Sequence, residues 1–582
     1  MKKQSVNKRS RDIAGLGLAL LLVILCNFLG GFIFHRFDLT SEKRFTLSPE
    51  SVRTARNLKG IAFFKVYLDG KLPAGFIRLR DETKEMLDEF RAYSGGKLQY
   101  EFINPSANPD PAQREAFYKQ LYNEGLTPTN LQVRDNSGNS EQIIFPGALL
   151  TYQGREMPID ILRQQVNTDP QTVLNNSIES LEYDIDNAIH KLSVKLKPRV
   201  AFLMGNGELD SIHEAGAADA LGEYYEIHRV PLEHKLSRIF DYSDTSSHKL
   251  NLKYEALIIA KPTTAFDERD KFIIDQYVMH GGKILWLISP LYTPSIVDSL
   301  MKNGITYLLP VDLNLQDMLY RYGVRLNTNI IMDYLCSVIP LNDAFPGQQP
   351  DIKLYPWYYS PLISPAGDNP IVKNLNFIEL NYASTLDTVG AAGIKKTILL
   401  TTSKETKLLG YPVRISLATA RIAPSESQFN KPYQPVAALL EGKFTSLYKN
   451  RMVQQLDTSR LIDFKPNSLK TSMIVVSDGD VIANDVKESG NYAYPLGYDK
   501  YANQQFGNKD FIVNCMNYLC GDSTLLATRT KQLQLRLIDK KKTHLFRTQW
   551  QIINLAIPIG LIALLGLVLG WIRKEKYASA RH

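Results

Sequence analysis

The chain has 582 residues and a formal net charge of +8, with 44% hydrophobic and 22% charged residues. A chain of this length is too long to fold around a single hydrophobic core, so two or three domains are expected. The excess positive charge lies at the ends: residues 1–12 carry five basic residues and one acidic residue, and residues 573–582 carry four and one. The rest of the chain is nearly neutral, which excludes a basic nucleic-acid-binding face.

Residues 13–34 form an apolar run in which Asn27 is the one strongly polar side chain. About 20 apolar residues span a bilayer core as a helix, so we predict a transmembrane helix here. A cleaved signal peptide is the alternative, but its apolar core normally has about 7 to 15 residues. The basic residues before the run place residues 1–12 in the cytoplasm and the following chain in the periplasm.

A second apolar run at residues 550–572 has tryptophan near both ends, at Trp550 and Trp571. Tryptophan is enriched at membrane interfaces, and basic residues follow cytoplasmic helix ends, as they do at 573–582. This pattern predicts a second transmembrane helix with a cytoplasmic C-terminus; a buried core helix is the alternative. We therefore expect the protein in the inner membrane, in contact with its lipid, with two spans, both termini cytoplasmic and most of the chain periplasmic.

The first periplasmic region, residues 35–196, shows strands alternating with helices. Ser48 before Pro49 indicates a capped helix start. The further elements expected are strands at 61–68 and 98–103, helices at 78–93 and 111–123, a hairpin formed by 131–134 and 142–152, and a helix at 172–195. This order predicts a thioredoxin-like α/β domain. The region contains no cysteine, which excludes thiol redox chemistry.

Asp135 and Glu141, in and beside the turn of that hairpin, raise the possibility of calcium binding. The carboxylate spacing of a calcium loop is absent, so the sequence favours an ordinary hairpin turn. We assign no metal site to the chain.

The second region comprises residues 197–309 and 471–530. Its expected strands are at 199–204, 226–231, 256–260, 283–288 and 473–476, and its expected helices are at 215–225, 267–280 and 508–519. Strands alternating with helices predict a doubly wound parallel sheet, similar to the amidotransferase-like domain. Residues 310–470, rich in proline and tyrosine, are interpreted as a β-rich insertion, and residues 531–549 as a linker to the membrane.

Ligands on parallel sheets bind at the carboxyl ends of the strands. Two loops in such positions supply the candidate ligand-binding residues, with a tight turn or a surface turn as the alternative reading of each. They are Gly205, Asn206, Gly207 and Glu208 after the first strand, and Asp478 and Asp480 after the last. No cofactor is indicated.

No catalytic residue is assigned. The chain has no phosphate-binding loop, so it does not hydrolyse ATP by that route. On an amidotransferase-like sheet the nucleophile would be Ser289, and the oxyanion would need the N–H of the next residue. That residue is Pro290, which has no N–H. The four cysteines, at positions 26, 336, 515 and 520, are interpreted as buried thiols.

Several motifs taken together resemble those of the GldG family, the substrate-binding-type ABC transporter subunits of gliding motility in Bacteroidetes. They lie at residues 38–40, 45–48, 205–208, 476–480, 508–511 and 517–519. The resemblance covers essentially the whole chain. It implies a non-enzymatic accessory subunit that acts with an ABC permease and an ABC ATPase, and with other envelope proteins of the gliding machinery. A periplasmic scaffold of an envelope motility machine and an amidotransferase-like hydrolase are the alternatives.

Overall fold

The computed structural model describes most of the chain between residues 46 and 521 together with a C-terminal helix. The described residues are 15–22, 46–135, 138–163, 169–194, 196–242, 250–294, 296–345, 348–365, 367, 369–451, 463–487, 490, 492–521 and 546–578. Residues 15–22 are helical. The rest of the predicted first transmembrane helix, the motif at 38–40, Cys26 and most of the linker at 531–549 lie outside the described residues.

The chain divides into two compact units, residues 1–531 and 532–582. The described residues between 46 and 193 of the first unit form ten elements. They are α1 (Pro49–Arg56), β1 (Ala62–Val66), α2 (Ala74–Tyr93), β2 (Leu98–Phe102), α3 (Pro111–Asn123), β3 (Thr129–Asp135), β4 (Gly138–Ile144), β5 (Gly147–Tyr152), β6 (Arg155–Asp160) and α4 (Pro170–Ser193).

Four of these strands form a sheet in the order β2-β1-β5-β6. β1 is parallel to β2, and the two remaining pairs are antiparallel. Helices α2 and α4 cover one face, where Leu87, Ile185 and Phe64 of β1 line one small apolar cavity. Helix α3 covers the other face through Leu121, which packs with Leu149 of β5. As predicted, Ser48 caps α1, its side chain accepting a hydrogen bond from the Ser51 N–H at 3.2 Å.

The predicted hairpin is wrong in its second strand. The run 142–152 breaks at Phe145 and Pro146 into two strands: β4 pairs with β3 in a separate two-stranded ribbon, whereas β5 pairs with β1 in the main sheet. Proline cannot donate a ladder hydrogen bond, so the strand ends there and the chain changes sheets.

The elements from residue 199 to residue 303 alternate between strands and helices. They are β7 (Arg199–Met204), α5 (Ala215–Gly222), β8 (Glu226–Pro231), β9 (Phe240–Tyr242), β10 (Leu250–Leu252), β11 (Ala256–Ala260), α6 (Glu268–Met279), β12 (Lys283–Leu287), β13 (Leu291–Tyr292) and α7 (Ile296–Asn303).

The elements from residue 305 to residue 519 are mostly strands. They are β14 (Ile305–Pro310), α8 (Gln316–Tyr322), β15 (Val324–Leu326), β16 (Asn329–Asp333), β17 (Cys336–Asn342), β18 (Ile352–Ile363), β19 (Ile378–Glu379), β20 (Leu386–Thr388), β21 (Ile394–Thr401), β22 (Thr406–Gly410), β23 (Val413–Ser416), α9 (Ala418–Arg421), β24 (Pro435–Thr445), β25 (Asn467–Val476), β26 (Tyr498–Asp499), β27 (Gln504–Gln505) and α10 (Asn508–Leu519).

A seven-stranded sheet organises this part of the chain, in the order β21-β24-β25-β12-β11-β7-β8. The five strands from β25 to β8 are parallel, as the alternating pattern predicted. Helices lie on both faces. Leu221 of α5 and Phe511 of α10 belong to the core on one face, and Ile274 of α6 and Leu319 of α8 belong to the core on the other.

The sheet is larger than the sequence interpretation allowed. Strands β21 and β24, both inside the predicted insertion 310–470, extend it by two antiparallel pairings. The alternating helix-strand pattern predicts only parallel neighbours, so it gives no sign that the antiparallel strands β21 and β24 join this sheet. The other strands of this stretch surround a separate aromatic core that includes Trp357, Tyr358 and Phe429.

The second compact unit contains helix α11 (Arg547–Ala578). Its stretch Arg547–Glu575 is the one helix among the described residues that is long and apolar enough to cross a membrane. This stretch includes the predicted span 550–572. Pro558 lies inside the helix.

Candidate functional site

Four parallel strands of the seven-stranded sheet end at one edge, and both predicted ligand-binding loops lie there. β7 leads into residues 205–208, β11 into residues 261–265, β12 into Ser289, and β25 into residues 477–480. This carboxyl edge is the place where the sequence predicted a ligand site.

The loop after β7 is held against the loop after β11. The carbonyl oxygen of Asn206 accepts hydrogen bonds from the N–H groups of Thr263 and Thr264, both at 2.9 Å. The Thr263 hydroxyl donates to the Gly207 carbonyl at 2.9 Å. Gly207 has φ +70°, and a Cβ there would lie 2.2 Å from the Thr263 Oγ1 atom, so this close approach requires glycine.

One backbone amide of this candidate ligand-binding loop has an internal partner. The Glu208 carboxylate accepts a hydrogen bond from the Asn206 N–H at 2.6 Å. Burial raises the pKa of Glu208. Its other oxygen, Oε1, is buried without a hydrogen-bond partner among the described residues. A carboxylate beside the loop disfavours an anionic ligand at this point.

Asp478 is fully buried after β25, and the protein backbone satisfies both its oxygens. The Asn381 N–H donates to Oδ2 at 2.8 Å, and the Asp480 N–H donates to Oδ1 at 2.7 Å. Burial, followed by the charge of Asp480, raises the pKa of Asp478 well above its usual range. Asp478 therefore connects the end of β25 by a hydrogen bond to the β-rich segment that contains Asn381.

Asp480 already has a cation beside it. The Lys261 ammonium lies 2.5 Å from its carboxylate and 5.3 Å from the centre of the Tyr292 ring. Both members of the ion pair are mostly buried, with side chains 17% and 21% exposed. Among the described residues no group of three or more His, Cys, Asp and Glu side chains could hold a metal ion.

Sequence reasoning missed Lys261. The residue follows the buried strand β11 directly and has a left-handed backbone, with φ +53°. A lysine immediately after a buried parallel strand, before Pro262, is a signal that could have been noted, since strand ends carry functional side chains. Lys261 and Thr263 join the two predicted loops, because one contacts Asp480 and the other contacts Gly207.

Ser289 is buried and hydrogen-bonded within the protein, whereas a nucleophile would be exposed. It is 5% exposed, and its Oγ accepts a hydrogen bond from the Gly479 N–H at 2.9 Å. Gly479 is close-packed as well, since a Cβ there would lie 2.6 Å from Lys261 side-chain atoms. The side chains at this edge thus bind one another, and the edge holds the sheet and the β-rich region together.

Two of the three cysteines in the described part of the chain, Cys336 and Cys515, are unreactive thiols. Cys515 is buried, whereas Cys336 and Cys520 are half-buried, and none of the three forms a disulfide. Burial raises the pKa of Cys336 to about 12 and that of Cys515 well above its usual value. These groups stay protonated at neutral pH and are poor nucleophiles.

The fold and this edge define an α/β protein with a large mixed sheet whose carboxyl edge is filled by its own side chains, and with an apolar helix near its C-terminus. The chain belongs to the family described as an ABC-type uncharacterized transport system, whose model matches residues 197–515. A domain family of unknown function matches residues 41–151. The protein therefore has an accessory role in an ABC transport system.

An uncharacterized protein of Borreliella burgdorferi is similar to this chain. The two are 23% identical over 445 residues, which cover 75% of this chain and 78% of the relative. Among solved structures, the mmIFT52 N-terminal domain matches 55% of this chain and 97% of its own, at 11% identity and a TM-score of 0.29.

Proposed function

We propose that this protein is a membrane-anchored, non-enzymatic accessory subunit of an ABC transporter that acts with a separate permease and a separate ATPase. The family match over residues 197–515 carries the proposal. The exposed apolar helix Arg547–Glu575 supports anchoring in the membrane. The chain has no phosphate-binding loop of its own, which is consistent with ATP hydrolysis by a partner.

The finer parts of the proposal come from the sequence. The two predicted spans place both termini in the cytoplasm and the bulk of the chain in the periplasm, at the inner membrane. The sheet order β2-β1-β5-β6 supports a thioredoxin-like first domain, and the parallel core of the second sheet supports an amidotransferase-like one. The motifs shared with the gliding-motility subunits support a role in surface gliding, with further envelope proteins as partners.

The geometry of Ser289 supports the absence of hydrolase activity. Its Oγ already accepts the Gly479 N–H, and Pro290 supplies no N–H for an oxyanion. Replacing Ser289 by alanine should remove one acceptor from a buried N–H, at a cost of about 1–3 kcal/mol in the free energy of unfolding. Transport or gliding should persist at permissive temperature. Loss of function in a variant that is folded and present at normal abundance would favour the hydrolase.

The direct test is purification of the intact protein from its own membrane in mild detergent, with mass spectrometry of the bound proteins. We expect a permease and an ATPase in a fixed ratio to this chain. The matched control is the same purification from cells whose ATPase carries an inactivating substitution, which should keep the complex and lose the function. Recovery of other envelope proteins without permease or ATPase would contradict the proposal and favour a scaffold.

A further inference from the structure

A cleft of about 540 Å³ separates the two α/β regions of the first compact unit, away from the filled carboxyl edge. One wall comes from β6 and α4, and the other comes from the end of α5, β27 and the first turns of α10. Between residues 46 and 521 the chain passes from the first region to the second once, directly after α4. The two walls therefore belong to regions that share a single covalent connection.

The described part of this connection is exposed at Leu196. This residue is apolar and yet 91% exposed, so it packs against neither region. The Lys197 ammonium donates to the Gly222 carbonyl, and the Pro198 carbonyl accepts a hydrogen bond from the first N–H of β8 at 2.9 Å. The second region thus holds the end of the connection and leaves Leu196 unsupported. Backbone angles can change at such a position without loss of packing, which is what a hinge requires.

Within the described part of the chain, the hydrophobic cores of the second region contain no residue of the first. The two cores on the faces of the seven-stranded sheet, and the aromatic core beside it, consist of residues between 200 and 520. Domains move relative to each other by default unless a large apolar interface joins them. The packing of this unit therefore permits motion about the connection.

Close to the connection, polar contacts join α4 to the residues after α5. The ammonium of Lys191 lies 2.5 Å from the Glu223 carboxylate and 4.4 Å from the centre of the Tyr224 ring. The Asn187 amide nitrogen donates to the Tyr224 hydroxyl at 3.0 Å. These contacts keep the two regions together beside Leu196, as a pivot does.

Elsewhere in the cleft, groups of opposite charge face each other without touching. Asp160 and Arg163 line one wall, and Lys509 and Asp510, in the first turn of α10, line the other. The enclosing protein raises the pKa of Asp160, and the charge of Lys509 lowers it. Burial lowers the pKa of Arg163, but the charges of Asp184 and Asp510 outweigh this and raise it overall. In the residues that the structure describes, neither Lys509 nor Asp510 forms an ion pair or a side-chain hydrogen bond across the cleft.

These charges lie farther from the connection than the contacts of Lys191. Arg163 is bonded to Asp184, which lies seven residues before Lys191 on α4, or about 10 Å along the helix. A direct bond joins the walls farther still along α4: the Asn374 amide donates to Glu179 at 3.4 Å, beyond the usual range of about 2.7–3.2 Å. The two regions are thus firmly joined beside the connection and loosely joined away from it.

We propose that the two α/β regions open and close as rigid bodies about residues 196–198, and that closure brings Lys509 to Asp160 and Asp510 to Arg163. Asp160, Lys509 and Asp510 are exposed to solvent in the cleft, so they are available to pair. Arg163 can accept a second carboxylate, because a guanidinium has five N–H donors and Asp184 engages only its Nε and one terminal nitrogen. The motion goes beyond the proposed transporter role and does not depend on it.

Double electron–electron resonance on the full chain in detergent measures the motion. Spin-labelled p-acetylphenylalanine replaces Gln171, at the start of α4, and Gln504, on the opposite wall; both side chains are exposed, and the native cysteines stay in place. We expect a shorter distance for the closed form and a longer one for the open form. The control pair, Gln171 and Gln99, lies within the first region and should give one distance throughout. A Gln171–Gln504 distance that is single and identical in wild type, in 1 M salt and in Lys509→Glu would overturn the proposal.

Lys509→Glu is the decisive variant, because it places a carboxylate opposite Asp160 at an exposed position. The ratio of open to closed molecules should rise about 5-fold, which corresponds to roughly 1 kcal/mol for a solvent-screened ion pair. Salt at 1 M should shift the wild type in the same direction, because it screens the attraction. The matched control is Lys431→Glu, the same charge change at an exposed lysine outside the cleft, which should leave the ratio unchanged. Equal ratios in wild type and Lys509→Glu would overturn the proposal.

Leu196→Pro tests the position of the hinge. Proline fixes its own φ angle, so this variant should narrow the spread of Gln171–Gln504 distances and leave the Gln171–Gln99 distance unchanged. Because Leu196 is exposed and packs against neither region, its replacement removes no core contact. An equal spread in Leu196→Pro and wild type would overturn the assignment of the hinge to residues 196–198.

Discussion

The ion pair between Lys261 and Asp480 allows a quantitative test of how the carboxyl edge is held together. Removing one partner from a buried ion pair typically costs about 3–5 kcal/mol, because the other charge is left uncompensated. Each side chain here is about one-fifth exposed, with values of 17% and 21%, which places the expected cost at the low end. Lys261→Ala should therefore lower the free energy of unfolding by about 3 kcal/mol.

The backbone of Lys261 provides an internal control. Its φ of +53° is left-handed, a conformation that costs a non-glycine residue roughly 1–2 kcal/mol. Lys261→Gly removes the same charge and relieves this strain, so it should be more stable than Lys261→Ala by about 1 kcal/mol. In the double variant Lys261→Ala/Asp480→Asn, the combined loss should be smaller than the sum of the single losses by about 2 kcal/mol.

The assay is urea unfolding of the full chain in detergent, followed by tryptophan fluorescence. Trp286 lies in β12, beside β11 and β25, and is fully buried, so it reports on this sheet. A loss below about 1 kcal/mol in Lys261→Ala, or additive losses in the double variant, would refute the reasoning, since the pair would then behave like an exposed salt bridge.

Two further predictions concern neighbouring loops. Gly207→Ala should lower the free energy of unfolding by about 2–4 kcal/mol, because it combines left-handed strain with a clash against Thr263 Oγ1. Adding Thr263→Ala should recover part of this loss in the same urea assay. No recovery would contradict the steric explanation. Burial raises the pKa of Glu214 to about 7, so the stability held by its neutral form is complete below about pH 4.5 and is lost as the pH rises through 7. Glu214→Gln should remove this slope, worth roughly 2–4 kcal/mol in wild type, and an unchanged pH profile would contradict the assigned pKa.

The regular elements of the parallel sheet were predictable because local patterns encode them. The predicted strands at 226–231 and 256–260 match β8 and β11 residue for residue, and the predicted helix at 508–519 matches α10. β11 lies between the charged residues Glu255 and Lys261, and α10 follows Gly507, so the local sequence marks these ends. The position of the two candidate loops at one sheet edge followed from the rule for parallel strands.

What those loops do at the edge was not predictable. The pairing of Asp480 with Lys261 joins residues 219 positions apart in the chain, and the bond from Asn381 to Asp478 spans 97. No local pattern specifies such contacts, since any of the polar residues at the edge could have faced solvent or a ligand. For the same reason the sequence did not predict that β21 and β24 join the sheet, because their positions depend on pairing between distant segments.

The sequence by itself determined the apolar C-terminal helix, the alternation of strands and helices, and the absence of a cysteine in the first region. Each of these depends on composition or on spacing over a few residues. The tertiary structure decided the sheet order, the closing of the carboxyl edge by Asp478, Asp480 and Ser289, and the cleft between the two α/β regions. These features arise from contacts between segments far apart in the chain, where burial and hydrogen-bond satisfaction choose the partner.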